Sequence, residues 1–187
     1  MAETADKRAK MRSIFVTGFG PFGDFESNPS ERLVRSLHLQ QFEILPVSFQ
    51  AVDRFAREPL PPEIRALVLT GVAPKADKIR LERTARNHVS ETRDIEGVSL
   101  HTGVIDPDAP QQIVTTLFSD WPEPNEGCTF SDDAGTYLCN YAFFQCARLM
   151  PNLKVGFVHV PPFENVSFES SRRSLIAVLD TLCERLP

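Results

Sequence analysis

Three side-chain types in this 187-residue chain could together break an acyl bond: a cysteine, a histidine and a glutamate. Cys139 stands in SDDAGTYLCNYAFF, residues 131 to 144, where Ala134-Gly135-Thr136 reads as the turn into a helix. In the first turn of that helix, unsatisfied N–H groups and the positive dipole end favour a thiolate, the nucleophilic form of cysteine. Position alone leaves the commoner outcome open, a small buried hydrophobe. Cys146, seven residues on, lies ~10 Å along the helix axis, too far for a disulfide with Cys139. A thiol nucleophile needs a base, and His159 is the best placed of the four histidines. It ends the apolar run Val155-Gly-Phe-Val158 and precedes Val160-Pro161-Pro162, at a strand end of the kind where open α/β sheets hold their sites. His38 sits at the end of a predicted helix, His88 and His101 lie in a polar excursion, and all three read as solvated. Glu82, within Lys78 to Asn87, could orient the imidazole, or could form a surface salt bridge with Arg80 or Arg83.

A second stretch, GFGPFG at residues 18 to 23, has the G-x-G-x-x-G spacing of a dinucleotide turn and follows the strand-like Ser13 to Thr17. Such a turn must run straight into a helix whose free N–H groups meet the pyrophosphate. Here Asp24, Phe25, Glu26 and Ser27 intervene. The helix signal begins only at Asn28-Pro-Ser-Glu31, an N-cap followed by Pro at N1 and a capping-box Glu. Pro21 removes an amide donor, and no acid ends the next strand to hold a ribose, so the dinucleotide reading fails. The loop instead carries Phe19, Phe22 and Phe25 on a glycine frame, as aromatic walls for an uncharged flat ligand or as plain core.

The elements that must position these groups alternate between strand and helix patterns. Strands are predicted over Ile14 to Thr17, Phe42 to Phe49, Ala66 to Thr70 and Val155 to Val160. Helices are predicted over Pro29 to Leu39, Ala51 to Arg57, Tyr137 to Met150 and Ser171 to Leu186. This order predicts an α/β fold with a mostly parallel sheet covered by helices. Asn87 to Pro110 has no clean period and reads as a long surface excursion, a lid or a subunit contact.

The length and the 42% hydrophobic content, with 14 Phe, suit one globular domain. A net charge of −5 without a basic block argues against nucleic acid and anionic membrane as partners. The polar N-terminus has no signal-like apolar segment, and no run approaches a membrane span, so a cytoplasmic location is expected. The four cysteines form no CxxC pair and are expected as thiols in a reducing compartment.

GFGPFGDFESNPS, AGTYLCN and GFVHVPP, taken in this order, resemble the three signature segments of the cysteine-dependent pyroglutamyl peptidases, and the resemblance runs from about residue 13 to 183. It implies a three-layer α/β/α sandwich with a mixed central sheet. It also implies removal of an N-terminal pyroglutamyl residue from peptides through a thioester, with no metal or cofactor. Cys139 would be the nucleophile, His159 the general base and then acid, and Glu82 the residue that orients His159. Phe19, Phe22 and Tyr137 would line the pocket for the pyroglutamyl ring, with Asn28 and Arg93 as further substrate-binding positions. A homo-oligomer, dimer or tetramer, is among the implied states.

The departures from the family pattern cluster near Glu82. Arg80 replaces a small hydroxyl residue, Thr84 an aliphatic one, and Gly71-Val72-Ala73-Pro74 lacks the usual glutamine and paired glycines. Arg93 matches the family arginine only through an insertion and deletion. The alternative expectations are a divergent member hydrolysing another amide and a catalytically weak protein that keeps the fold for binding. In domain terms, residues 1–11 are expected to be disordered and 12–187 to form the α/β domain.

Overall fold

Eight strands and four helices follow one another along the computed structural model, which describes residues 10–23, 27–101 and 103–186. The expectations for residues 1–9 and for Phe25 lie outside them. Residues 10–12 are helical, and Met11 packs against the core.

The central sheet has six strands. β1 (Ile14–Phe19), β2 (Phe42–Leu45), β3 (Ala66–Val72) and β8 (Lys154–Val160) are mutually parallel, in the order β2-β1-β3-β8. β4 (Ile79–Glu82) pairs antiparallel with β8, and β7 (Cys128–Ser131) closes the edge parallel to β4. β5 (Thr84–Arg86) and β6 (Gln112–Val114) form a separate antiparallel pair. β1, β3 and β8 read as continuous apolar runs because both faces of the sheet are covered. On one face α2 (Phe49–Arg57) and α3 (Leu138–Leu149) pack over Phe15, Leu67, Leu69, Val155 and Phe157. On the other, α1 (Pro29–Ser36) and α4 (Phe168–Arg185) cover Ile14, Val16, Val68, Leu81, Val158 and Val160. The result is the three-layer α/β/α sandwich with a mixed, mostly parallel sheet.

Local chemistry moves several boundaries. The strand expected over Phe42 to Phe49 ends at Leu45, because Pro46 has no N–H for the ladder. Ser48 then caps α2 by accepting from the Ala51 N–H, so the helix starts at Phe49 rather than Ala51. The helix expected to reach Leu39 stops at Ser36, and His38 takes a left-handed φ of 51°. Asn28 caps α1 as its type suggested, but Glu31 turns to Arg35, 2.9 Å away, instead of closing a capping box. No helix among the described residues is long and apolar enough to cross a membrane.

Candidate active site

Side chains alternate across a strand, so the face on which each residue lies follows from its parity. In β8, Val155, Phe157 and His159 face α2 and α3. In β4, Ile79 and Leu81 face the opposite core, which turns Arg80 and Glu82 to the side of His159. Arg80 is the register partner of His159 and Glu82 of Phe157. Because β4 runs against β8, Arg80 comes to the rim at the carboxyl ends of the parallel strands, and Glu82 lies one step deeper.

At that depth Glu82 is fully buried and Oε1 meets His159 Nδ1 at 2.8 Å. The surface salt bridge offered as the alternative for Glu82 does not form: Arg83 takes Asp132 at 2.7 Å. The imidazole is 6% exposed and packs on the Phe157 ring at 4.7 Å between centroids. Burial alone would lower its pKa. Hydrogen bonding and charge from Cys139 and from Glu82 outweigh burial and raise it to about 9. His159 therefore holds its proton at neutral pH.

Cys139 lies in the first turn of α3, as the turn Ala134-Gly135-Thr136 suggested. Gly135 has a left-handed φ of 80°, and its N–H donates to Asp133 Oδ1 at 3.1 Å. Tyr137 occupies the N-cap position, and no side chain among the described residues caps the helix, so its first N–H groups are available at the cysteine. The thiol lies directly over β3: a Cβ at Gly71 would stand 2.8 Å from Cys139 Sγ and 2.9 Å from Phe157 Cζ. Only a glycine lets the sulfur come this close to the sheet, beside the register partner of Gly71, His159. Burial pushes the Cys128 thiol up to about 12 and also raises that of Cys146. Cys139 is half-buried and faces a cavity.

That cavity, about 400 Å³, opens at the strand ends, with Cys139 and His159 in its wall beside Phe19, Phe22, Val47 and Tyr137. Phe22 stacks on Tyr137 at 5.5 Å, and Phe49 meets Tyr137 edge-on at 6.0 Å. The Tyr137 hydroxyl donates to the Arg93 carbonyl at 2.8 Å. Burial first, then the charges of Asp94 and Cys139, raise its pKa to about 12 and keep it a donor.

The two remaining sequence candidates take supporting positions. Asn28 lines the cavity, but both ends of its amide are engaged: Nδ2 donates to the Gly20 carbonyl at 3.1 Å, and Oδ1 accepts from the Ser30 N–H at 3.0 Å. Arg93 is exposed and outside the cavity wall, its guanidinium donating to the Gly97 carbonyl at 3.1 Å, and it reaches the site only through its own carbonyl.

Three positioning residues were missed by sequence reasoning. Gly71 stood one residue past the predicted strand Ala66 to Thr70, and the structure places it inside β3 beneath the sulfur of Cys139. Asn140, beside the nucleophile candidate, is fully buried and bonds the Arg86 N–H and the Arg86 and His88 carbonyls, each at 2.8 Å, fixing the start of α3 to the strand after β4. Its signal was a polar amide in an apolar helix, which must find partners. Asp94 is 6% exposed and accepts from the N–H groups of Phe49, Glu96 and Val98, so this part of the 87–110 excursion is anchored to the start of α2.

A histidine held between a carboxylate and a thiol, beside free amides and an aromatic cavity, can carry out acyl transfer through a thioester. The family pattern described as Pyroglutamyl peptidase matches residues 12–177. The chain is 31% identical to the pyrrolidone-carboxylate peptidase of Thermococcus litoralis, over 81% of this chain and 77% of that relative. It is 29% identical to human pyroglutamyl-peptidase 1, over 94% and 91%. The solved structure of the T. litoralis pyrrolidone carboxyl peptidase superposes with a TM-score of 0.75 at 26% identity, covering 92% of this chain and 93% of that one.

Proposed function

The chain belongs to the pyroglutamyl peptidase family and is an enzyme of that type, and from that premise we propose that Cys139, His159 and Glu82 cut the amide bond after an N-terminal pyroglutamyl residue of a peptide. The observation that carries this reading is the buried imidazole, 2.8 Å from Glu82 and paired with Cys139 at the wall of the aromatic cavity.

A pyroglutamyl terminus is a neutral lactam, so its pocket needs apolar walls and no acid to hold an ammonium. Phe19, Phe22 and Tyr137 are suited to be those walls. Asp133, the one carboxylate of the lining among the described residues, is already engaged by Arg86 at 3.3 Å and by the Gly135 N–H. In the proposed sequence the Cys139 thiolate attacks the carbonyl carbon, and N–H groups at the start of α3 stabilise the oxyanion. The C–N bond breaks as His159 gives its proton to the leaving amine. His159 then takes a proton from water, whose oxygen attacks the thioester carbonyl. The tetrahedral intermediate collapses, the C–S bond breaks, and pyroglutamate leaves as the thiolate re-forms beside the imidazolium, which keeps the proton taken from water. Glu82 holds the ring by Nδ1 and stabilises its charge. The four thiols fit action in the reducing cytoplasm on pyroglutamyl peptides.

The test is hydrolysis of a fluorogenic pyroglutamyl amide by the protein and by Cys139→Ala, under reducing conditions with EDTA. Turnover that disappears in the variant is the expected result. No turnover by the natural protein, with cleavage of a different amide, would overturn the substrate assignment.

A further inference from the structure

We infer that Arg80 forms an anionic subsite on the leaving-group side of the cleft, so that the enzyme favours pyroglutamyl substrates whose second residue carries a carboxylate. This rests on the reading of Cys139 and His159 proposed above.

Arg80 lines the cavity and is partly exposed to it. As the antiparallel register partner of His159, on the same face, its Cβ stands about 5 Å from that of the histidine. Among the described residues its guanidinium has no ion-pair or hydrogen-bond partner. Of the described acids on this side of the sheet, Asp132 pairs with Arg83, Asp133 with Arg86 and Glu82 Oε1 with His159, while the buried Glu82 Oε2 meets no partner among the described residues. A partly exposed guanidinium has a planar fork of donors that matches a carboxylate, and among the described residues that fork is unanswered.

The order of groups across the sheet says which part of a substrate it would meet. The aromatic wall stands at the end of β1, the thiol over β3 at Gly71, the imidazole on β8 and Arg80 on β4, in adjacent strands about 4.8 Å apart. A lactam ring against the aromatic wall puts the scissile carbonyl at Cys139 and the leaving amine at His159. The rest of the residue bearing that amine then extends over β4. A carboxylate one strand beyond the amine is within reach of Arg80. It has two sources: the main-chain carboxylate of a pyroglutamyl dipeptide, or the side chain of an acidic second residue.

The experiment compares kcat/KM for pyroglutamyl-alanine with its amide, and for amidated pyroglutamyl-glutamate with its glutamine counterpart, in the natural enzyme and in Arg80→Ser, Arg80→Lys and Arg80→Glu. The natural enzyme is expected to prefer the carboxylate in at least one pair by about tenfold or more, as charged hydrogen bonds allow. The pair that shows the preference identifies the source. The ratio should fall to about one in Arg80→Ser, survive in part in Arg80→Lys and invert in Arg80→Glu, changes that general damage to the fold would not produce. Cleavage of the neutral amides with ratios near one in the natural enzyme, or with ratios unchanged by Arg80→Ser, overturns the inference and leaves the peptidase reading intact. Failure of the natural enzyme to cleave any of the four overturns both.

Discussion

The two faces of the central sheet are made by the same strands and differ in what one-residue alternation puts on them. Towards α1 and α4 the strands present Ile14, Val16, Ala66, Val68, Ile79, Leu81, Val158 and Val160, with Thr70 as the polar exception, donating to the Thr17 carbonyl at 2.6 Å. Towards α2 and α3 they begin as apolar, with Phe15, Leu67 and Val155, and end in Phe19, Gly71, His159 and, on the antiparallel neighbour, Arg80 and Glu82. His159, Glu82 and Arg80 gather at one end of one face, where α3 delivers Cys139 and burial strengthens each charge interaction. Changes on the two faces should therefore be read by different instruments, rate on one and stability on the other.

The largest expected effect in a supporting residue is that of Glu82→Gln. The amide fills the same buried space, so thermal stability should be kept, while kcat falls by about 10²- to 10⁴-fold. The sign of its pH effect follows from the raised pKa of His159. The natural enzyme should lose kcat as pH rises through about 9, where the imidazole gives up the proton destined for the leaving amine. Removing a carboxylate that raises this pKa should move the decline to lower pH. An unmoved alkaline limb would mean that Glu82 does not act through His159.

A pair of glycines sharpens the comparison of faces. A Cβ at Gly71 would meet Cys139 Sγ at 2.8 Å, and one at Gly156 would meet Leu117 Cβ at 2.8 Å on the other face. Gly71→Ala should lower kcat by about 10²-fold through displacement of the sulfur. Gly156→Ala should cost about 1–3 kcal/mol of stability, measured by denaturant unfolding, with the rate per folded molecule nearly natural. Equal rate losses in the two would break the distinction between the faces. The smallest effect is expected for Tyr137→Phe, which removes the hydrogen bond to the Arg93 carbonyl and leaves the ring stacking. KM should rise a few-fold with kcat little changed.

Much of this arrangement was legible in the sequence, for identifiable reasons. β1, β3 and β8 are buried on both faces and therefore read as unbroken apolar runs, and α3 was bounded by Gly135 and Pro151. β4 was not legible: Ile79-Arg-Leu-Glu82 mixes apolar and charged residues and resembles a surface segment until its partner β8 shows that both charged residues face the site. The same limit hid Gly71, Asn140 and Asp94. Their roles lie in contacts with residues tens of positions away, such as Asn140 with Arg86 and Asp94 with Phe49, which no local spacing encodes. Asn28, legible as a cap, also proved to brace the Gly20 loop.

The most direct measurement of the central claim is rapid acid quench of the enzyme during turnover of a pyroglutamyl amide, followed by mass spectrometry of its cysteine-containing peptides. One added pyroglutamyl group on the peptide carrying Cys139, absent in Cys139→Ala, is the expected result. An adduct on the peptide of Cys128, Cys146 or Cys183, or turnover that persists in Cys139→Ala, would contradict it.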